Sequence, residues 1–318
     1  MINPSNQLAT VFGGGGFIGR YVCEMLFRND VRVRVASRNP GRAHFLQPLA
    51  QVGQLGFVHA DITDPESVAG AVKGSTAVVN LCGVFGRAMQ AVHVRGAGNV
   101  AAAARDAGAG ALVHISAIGA DPQSEADYGK TKSEGELAVR AAFPNATIVR
   151  PSLVFGPEDQ LTNRLAGLGW LPVLPVIAPK RRFQPVFVRD LAQAIAKAVL
   201  DPKRFGGETY EIVGPQVVTM RELHVAIFAA TGQNPELVDM PDAIASLLAR
   251  FGWLPGAPLT RDQWRMLQRD NVAAEGAPGL EAFGIEPTPL SAVAHEWLGR
   301  FTTGGRFAGR RVNLTATS

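Results

Sequence analysis

One short segment constrains this chain more than any other. Val11-Phe12-Gly13-Gly14-Gly15-Gly16-Phe17-Ile18-Gly19 follows an apolar run that starts at Leu8 and opens a helix-compatible stretch. Gly13, Gly16 and Gly19 therefore form a GxxGxxG pattern in the order strand, turn, helix. The spacing has a physical cause. The first glycine permits a tight turn, the middle ones let backbone N–H groups approach a diphosphate at the helix N-terminus, and the last lets helix and strand pack closely.

The following 130 or so residues keep the rhythm that such a turn begins. Strands are expected at Leu8 to Phe12, Val31 to Ala36, Phe57 to His59, Ala77 to Leu81, Leu112 to Ser116 and Ala146 to Val149. Helices are expected at Phe17 to Phe27, Pro65 to Lys73, Arg95 to Ala107 and Tyr128 to Ala142, with a shorter or irregular one at Pro40 to Leu49. Apolar β-branched strands alternating with helices predict an α/β fold, a Rossmann-type doubly wound parallel sheet. After Pro151 proline and glycine become frequent, which predicts a smaller, loop-rich C-terminal lobe. Phe183 to Val188, Asp190 to Leu200 and Thr209 to Val213 return elements to the main domain, while Thr219 to Thr231, Ala243 to Phe251 and Arg261 to Arg269 read as helices. The expected division is 1–150 for the dinucleotide domain, 151–303 for the mixed region, and 304–318 for a flexible basic tail carrying Arg306, Arg310 and Arg311.

Bulk properties exclude several classes. The 318 residues suffice for a sizeable core, and a net charge of +4 is spread among carboxylates rather than gathered into the basic stripe of a nucleic-acid binder. Cys23 and Cys82 sit in apolar surroundings without CxxC or Cys/His spacing, so neither a metal site nor a disulfide is expected. Hydrophobic residues make up 47% of the chain, yet no apolar run approaches the roughly 20 residues of a membrane span. That combination predicts apolar surface offered to a partner or a bilayer. Met1 to Gln7 has no charged stretch leading into an apolar core, so no targeting leader is expected, and the chain reads as one of a reducing compartment.

The second strand narrows the ligand. Folds of this kind that prefer NAD place an acid about 20 residues past the glycine turn. No carboxylate occurs from Val31 to Ala60; the strand ends instead in Ser37-Arg38, with Arg42 close behind. A hydroxyl and a guanidinium there suit a 2′-phosphate, which favours NADP(H). His59-Ala60-Asp61-Ile62 ends the third strand, where Asp61 reads equally as an acceptor for the adenine amine or as a helix N-cap before Pro65. Leu81-Cys82-Gly83 ends the fourth strand and leaves room for a ribose. His114, mid-strand among apolar residues, reads as a core histidine.

Tyr128 and Lys132 form a YxxxK pair on one helix face. In a hydride-transfer site the ammonium would lower the phenol pKa and bind the nicotinamide ribose, making the tyrosine a general acid or base. With the GxxGFIG turn and Arg150-Pro151-Ser152-Leu153-Val154-Phe155-Gly156-Pro157, this pair resembles the extended or atypical short-chain dehydrogenases. In that superfamily the fifth strand usually ends in two hydroxyl residues, the second polarising the substrate carbonyl. Here His114-Ile115-Ser116-Ala117 puts Ala117 in the slot, or Ser116 if the alignment shifts by one. With Ala117 there, an oxyanion donor worth several kcal/mol is missing. No catalytic residue is then assigned, and Tyr128 and Lys132 stand as a vestige.

Later stretches resemble a narrower group: Phe143 to Ser152, Phe155 to Asp159, Gln184 to Leu191, Thr260-Arg261-Asp262-Gln263 and Pro278-Gly279-Leu280-Glu281. They are similar to the NADPH-bearing accessory subunits of respiratory complex I, the proton-pumping NADH:ubiquinone oxidoreductase. The resemblance runs from about Leu8 to about Phe301. It implies NADPH held without turnover, complex I subunits of the hydrophilic arm near the quinone site as partners, and a peripheral position on the cytoplasmic or matrix face of an energy-transducing inner membrane. The nucleotide-facing set it implies is Gly13, Gly15, Gly16, Phe17, Ile18, Ser37, Arg38, Asp61, Ile62, Leu81, Cys82, Gly83, Tyr128, Lys132 and Pro151. Leu165 to Ile177, with Trp170 and the Lys180-Arg181-Arg182 cluster, is the expected contact with lipid headgroups or a neighbouring subunit. The alternative is a soluble NADP-dependent reductase or epimerase working through Tyr128 and Lys132.

Overall fold

A computed structural model describes residues 7–252 and 259–302; the expected tail at 304–318 and Met1 to Asn6 lie outside it. Strands β1 (Leu8–Phe12), β2 (Arg32–Ser37), β3 (Leu55–His59), β4 (Ala77–Asn80), β5 (Ala111–Ile115) and β6 (Thr147–Pro151) alternate with helices. These are α1 (Phe17–Arg28), α2 (Pro65–Val72), α3 (Ala97–Asp106) and α4 (Asp127–Ala142). A 3₁₀ stretch, Pro40–Leu49, follows β2, and a π-helical turn, Gln90–Gly96, leads into α3. Beyond them lie β7 (Val154–Phe155), α5 (Gln160–Leu168), β8 (Val173–Val176), β9 (Arg182–Phe183), β10 (Val186–Phe187), α6 (Val188–Leu200), α7 (Pro202–Phe205), β11 (Thr209–Ile212), β12 (Val218–Thr219), α8 (Met220–Thr231), β13 (Glu236–Asp239), α9 (Asp242–Arg250) and α10 (Arg261–Met266). Short helical turns complete the chain to Phe301.

The main sheet has seven strands in the order β11-β6-β5-β4-β1-β2-β3, every neighbour parallel. Strand order reverses between β1 and β4, which opens a crevice at the carboxyl ends of the strands, where ligands of such sheets bind. Each strand sends alternate residues to opposite faces. Val11, Val35, Val79, Val113 and Val149 pack in the core on one face with α1 and α6. Phe12, Ala36, Val78, Leu112 and Ile148 pack in the core on the other, with α2, α3 and α4. Burial on both faces explains why the strands are continuous apolar runs rather than alternating ones.

The remaining elements form the loop-rich lobe. Here β8 and β13 pair in parallel across some 60 residues of chain, and β9 pairs with β12 antiparallel. Capping boxes at Thr219 and Thr260 start α8 and α10. Asn271 joins lobe to sheet: its side-chain oxygen accepts from Ser152 Oγ at 2.7 Å and from Leu153 N–H at 3.2 Å. No helix among the described residues is long and apolar enough to cross a membrane.

Candidate dinucleotide site

The register aligns the carboxyl ends of the strands: Phe12 pairs with Ala36 and Asn80, Ser37 with His59, and Asn80 with His114. The residues that follow each strand are thereby gathered at one edge of the sheet. After β1 the chain turns through Gly13, whose φ of +80° lies in the left-handed region that favours glycine. A Cβ at Gly15 would meet the Ala43 methyl at 2.9 Å, and one at Gly19 would stand 2.3 Å from Gly13 O. Gly16 begins α1 without a side chain to cap it, so the first-turn N–H groups of Phe17 and Ile18 keep their donor capacity. Phe17 packs its ring against Gly156, in the stretch that begins at Arg150.

Two buried hydroxyls at the strand ends, Ser37 Oγ on the last residue of β2 and Ser116 Oγ just past β5, have no hydrogen-bond partner among the described residues. Orphaned donors along the carboxyl edge of the sheet fit a polyoxygen ligand, because leaving them unpaired costs about 1–3 kcal/mol each. Arg38 is exposed next to Ser37, in no ion pair within the described residues, and its positive charge helps hold the Asp61 carboxyl below the ordinary value. The larger cause of that depression is hydrogen bonding from Thr63, whose N–H and hydroxyl both donate to Asp61 Oδ1 at 2.9 and 2.8 Å. The N-cap alternative for Asp61 is corrected: Asp64 caps α2, accepting from Glu66 and Ser67 N–H groups. Ile62 is buried and packs against Gly96. Leu81 backs the glycine turn. Burial pushes the Cys82 thiol up to about 11, against the pull of Lys132 and Arg38.

The tyrosine–lysine pair lies one turn apart on α4. Lys132 is buried, and its Nζ donates to Ile115 O at 2.7 Å. Burial lowers its pKa to about 8, opposed by the charges of Glu136 and Cys82. Tyr128 is pushed up to about 12 by burial, with no lowering from the lysine. The helix spacing puts both side chains on one face, and the carbonyl at the end of β5 engages the amine. Phe85 stacks on the Tyr128 ring at 4.7 Å, and His93 meets it edge-on at 5.4 Å. Ser116 is buried just past β5, and Ala117 after it is half-buried. Pro151 ends β6, its carbonyl accepting from Ile118 N–H.

Two contributors, His93 and Asp262, carried no signal of their role in the sequence. His93, on the π-helical turn, accepts from Val84 N–H through Nε2 at 3.0 Å, so Nδ1 carries the hydrogen and gives it to Thr131 Oγ1 at 3.0 Å. Burial and the Lys132 charge keep this imidazole neutral, its pKa lowered to about 4. A Cβ at Gly83 would lie 3.8 Å from His93 Nε2 and 3.9 Å from Lys132 Nζ, which places these groups side by side. Asp262, from α10, accepts the Asp127 and Tyr128 N–H groups at 2.6 and 3.2 Å and so caps α4 from another part of the chain. His114 is the buried core histidine expected, bonded to Asn80 at 3.2 Å and held neutral by burial.

In the Lys180-Arg181-Arg182 cluster, expected to meet lipid headgroups or a neighbouring subunit, two of the three cations have partners within the lobe. Arg182 pairs with Asp270 at 2.8 Å and Arg181 reaches Gln268 at 3.4 Å, leaving Lys180 exposed and unpaired among the described residues. Trp170 and Val173 remain on the surface.

A parallel sheet with this cradle at its switch point defines a class, and the chain belongs to the NAD dependent epimerase/dehydratase family, whose profile matches residues 9–213. Within it the chain falls in a narrower family. It is 34% identical to the mitochondrial NADH dehydrogenase [ubiquinone] 1 alpha subcomplex subunit 9 of Rattus norvegicus, over 94% of this chain and 81% of that one. It is 29% identical to the mitochondrial NADH-ubiquinone oxidoreductase 40 kDa subunit of Neurospora crassa, over 91% and 78%. Among solved structures, an NADPH-dependent quinone oxidoreductase from Escherichia coli complexed with NADPH superposes with a TM-score of 0.73 at 20% identity, covering 91% of this chain and 99% of that one, a likeness of fold.

Proposed function

We propose that this chain holds NADPH without turning it over, as an accessory subunit of respiratory complex I that supports assembly and stability of the hydrophilic arm near the quinone-binding region. It sits peripherally on the cytoplasmic or matrix face of the energy-transducing inner membrane. The observation that supports the non-catalytic part of this reading is that Lys132 Nζ is bonded to Ile115 O at 2.7 Å rather than to the Tyr128 phenol. Burial pushes the phenol up to about 12, away from the near-neutral value that suits a general acid or base.

Gly13, Gly15, Gly16, Phe17 and Ile18 would hold the diphosphate, and Ser37 and Arg38 the 2′-phosphate. Asp61 and Ile62 would line the adenine end. Leu81, Cys82, Gly83, Tyr128, Lys132 and Pro151 would line the nicotinamide end. NADPH, when bound, is a hydride donor; the residues here bind and orient it and leave its proton partner unassembled. A nucleotide bound only by the folded state stabilises that state by mass action, about 2.7 kcal/mol at a hundredfold excess over Kd.

Affinity purification from native membranes, with mass spectrometry of the partners and of retained nucleotide, tests the whole reading. The expected result is near-stoichiometric NADP(H) together with quinone-reductase subunits. An empty protein indifferent to added NADPH refutes the cofactor, and a soluble protein that oxidises NADPH with a carbonyl substrate refutes the non-catalytic role. In calorimetric titration, Arg38→Glu is expected to weaken NADPH binding about 10- to 100-fold, the loss of one charge-assisted bond.

A further inference from the structure

Helix α9 is built inside out. Ala245 and Ala249 are its buried residues, whereas Ile244, Leu247, Leu248 and Phe251 point outward with 37–53% of their surface exposed. Those four fall at i, i+3, i+4 and i+7, the spacing of a single stripe that in a water-facing helix would be turned toward the core. Between α9 and α10 runs a groove of about 440 Å³, lined by Ala243, Ser246, Leu247, Arg250, Arg261, Trp264 and Arg265 among others. The three guanidiniums have no hydrogen bond or ion pair among the described residues. Neighbouring Asp262 turns its carboxylate to the α4 N–H groups and pairs with none of the three.

We infer that this surface docks on an anionic lipid bilayer, with the Ile244–Leu247–Leu248–Phe251 stripe in the acyl boundary and Arg250, Arg261 and Arg265 among the headgroup phosphates. The inference deepens the reading of a peripheral membrane subunit and rests on it for the identity of the membrane. Charge decides the occupant. A second copy would bring the same three arginines face to face, and the chain's own tail, with Arg306, Arg310 and Arg311, carries the same sign. Anionic headgroups supply the opposite charge, and the acyl boundary accepts a stripe of branched aliphatic and phenyl groups that has no pocket to fill.

Flotation of the full-length protein with phosphatidylcholine vesicles, with and without about 30% phosphatidylglycerol, tests it at two salt concentrations. The wild type should float with the anionic vesicles and be released by salt. Arg261→Glu/Arg265→Glu should lower partitioning at least about 25-fold, at roughly fivefold per lost charge, and Leu247→Gln/Phe251→Gln should release the protein as well. Both variants should keep NADPH affinity, which certifies their fold and separates this test from the cofactor reading. Equal flotation of all forms, or equal binding to neutral and anionic vesicles, overturns the inference. So does a wild type that floats with neither vesicle while the arginine variant loses its membrane-complex subunits; that outcome assigns the surface to an acidic protein partner.

Discussion

Gly19→Ala tests the cradle most directly, because the structure fixes what the added methyl would strike. Its Cβ would lie 2.3 Å from Gly13 O and 2.6 Å from Gly14 Cα, inside the 3.0 Å that Cβ atoms do not cross. Both neighbours are backbone, so the turn itself must retreat. Forced overpacking of this kind costs about 1–3 kcal/mol. The same retreat moves the N–H groups that would face a diphosphate, and losing the alignment of one charge-assisted bond removes about 1.5–3 kcal/mol. NADPH affinity should therefore fall about 10- to 100-fold or more, with a lower melting temperature even without nucleotide. Gly16→Ala is the matched comparison: its Cβ would stand 3.2 Å from Gly13 O and the backbone there is extended at φ −83°, so the turn yields slightly and affinity falls less. Titration calorimetry on both variants, with melts in the presence and absence of NADPH, reads the difference. If Gly19→Ala binds like the wild type, or suffers less than Gly16→Ala, the close approach of helix to strand does not shape the cradle.

Two further outcomes follow from buried polar groups. Arg150 grips Glu136 through two bonds at 2.8 and 2.7 Å, with Glu211 at 3.6 Å, on the seam between α4, β6 and β11. Arg150→Leu should cost about 2–4 kcal/mol in urea melts, since it strands a carboxylate that is nearly buried, and Arg150→Leu/Glu136→Gln should recover about half; no recovery would mean the pair is not what is lost. His93 has a folded pKa of about 4, below its unfolded value of about 6.5. Its neutral form is therefore the native one, and its contribution is complete above pH 6.5 and declines as pH falls, because the unfolded chain takes up the proton first. The stability gap between wild type and His93→Gln should shrink by about 1–2 kcal/mol from pH 7 to pH 4.5, discounted for solvent near the site; a gap constant with pH would contradict a buried neutral imidazole.

What was legible in the sequence is what neighbouring residues decide. The β1–turn–α1 unit and the positions of the first six strands follow from apolar runs and glycine spacing, so they match the expected elements within a few residues. The irregular Pro40–Leu49 stretch followed from its prolines and glycine. The β8–β13 pairing was not legible: β8 is interrupted by Pro175, and its partner lies far along the chain. The YxxxK spacing showed which helix face Lys132 occupies but not which acceptor its amine would take. His93 gave no signal, since a π-helical turn breaks the 3.6-residue period that would have marked its face. The apolar period of α9 was readable; that its large side chains look outward is a property of the whole molecule, not of the segment.

The carboxylate of Asp262 has a practical consequence for modularity. Because α10 supplies the cap that starts α4, the helix bearing Tyr128 and Lys132 is completed by a residue 134 positions downstream. A fragment cut after β6 would keep the glycine turn yet lose that cap, the Asn271 clasp on Ser152 and the seventh strand together. The nucleotide half is therefore not a cassette that can be excised or grafted: whatever dislodges α10 is felt at the far end of the crevice.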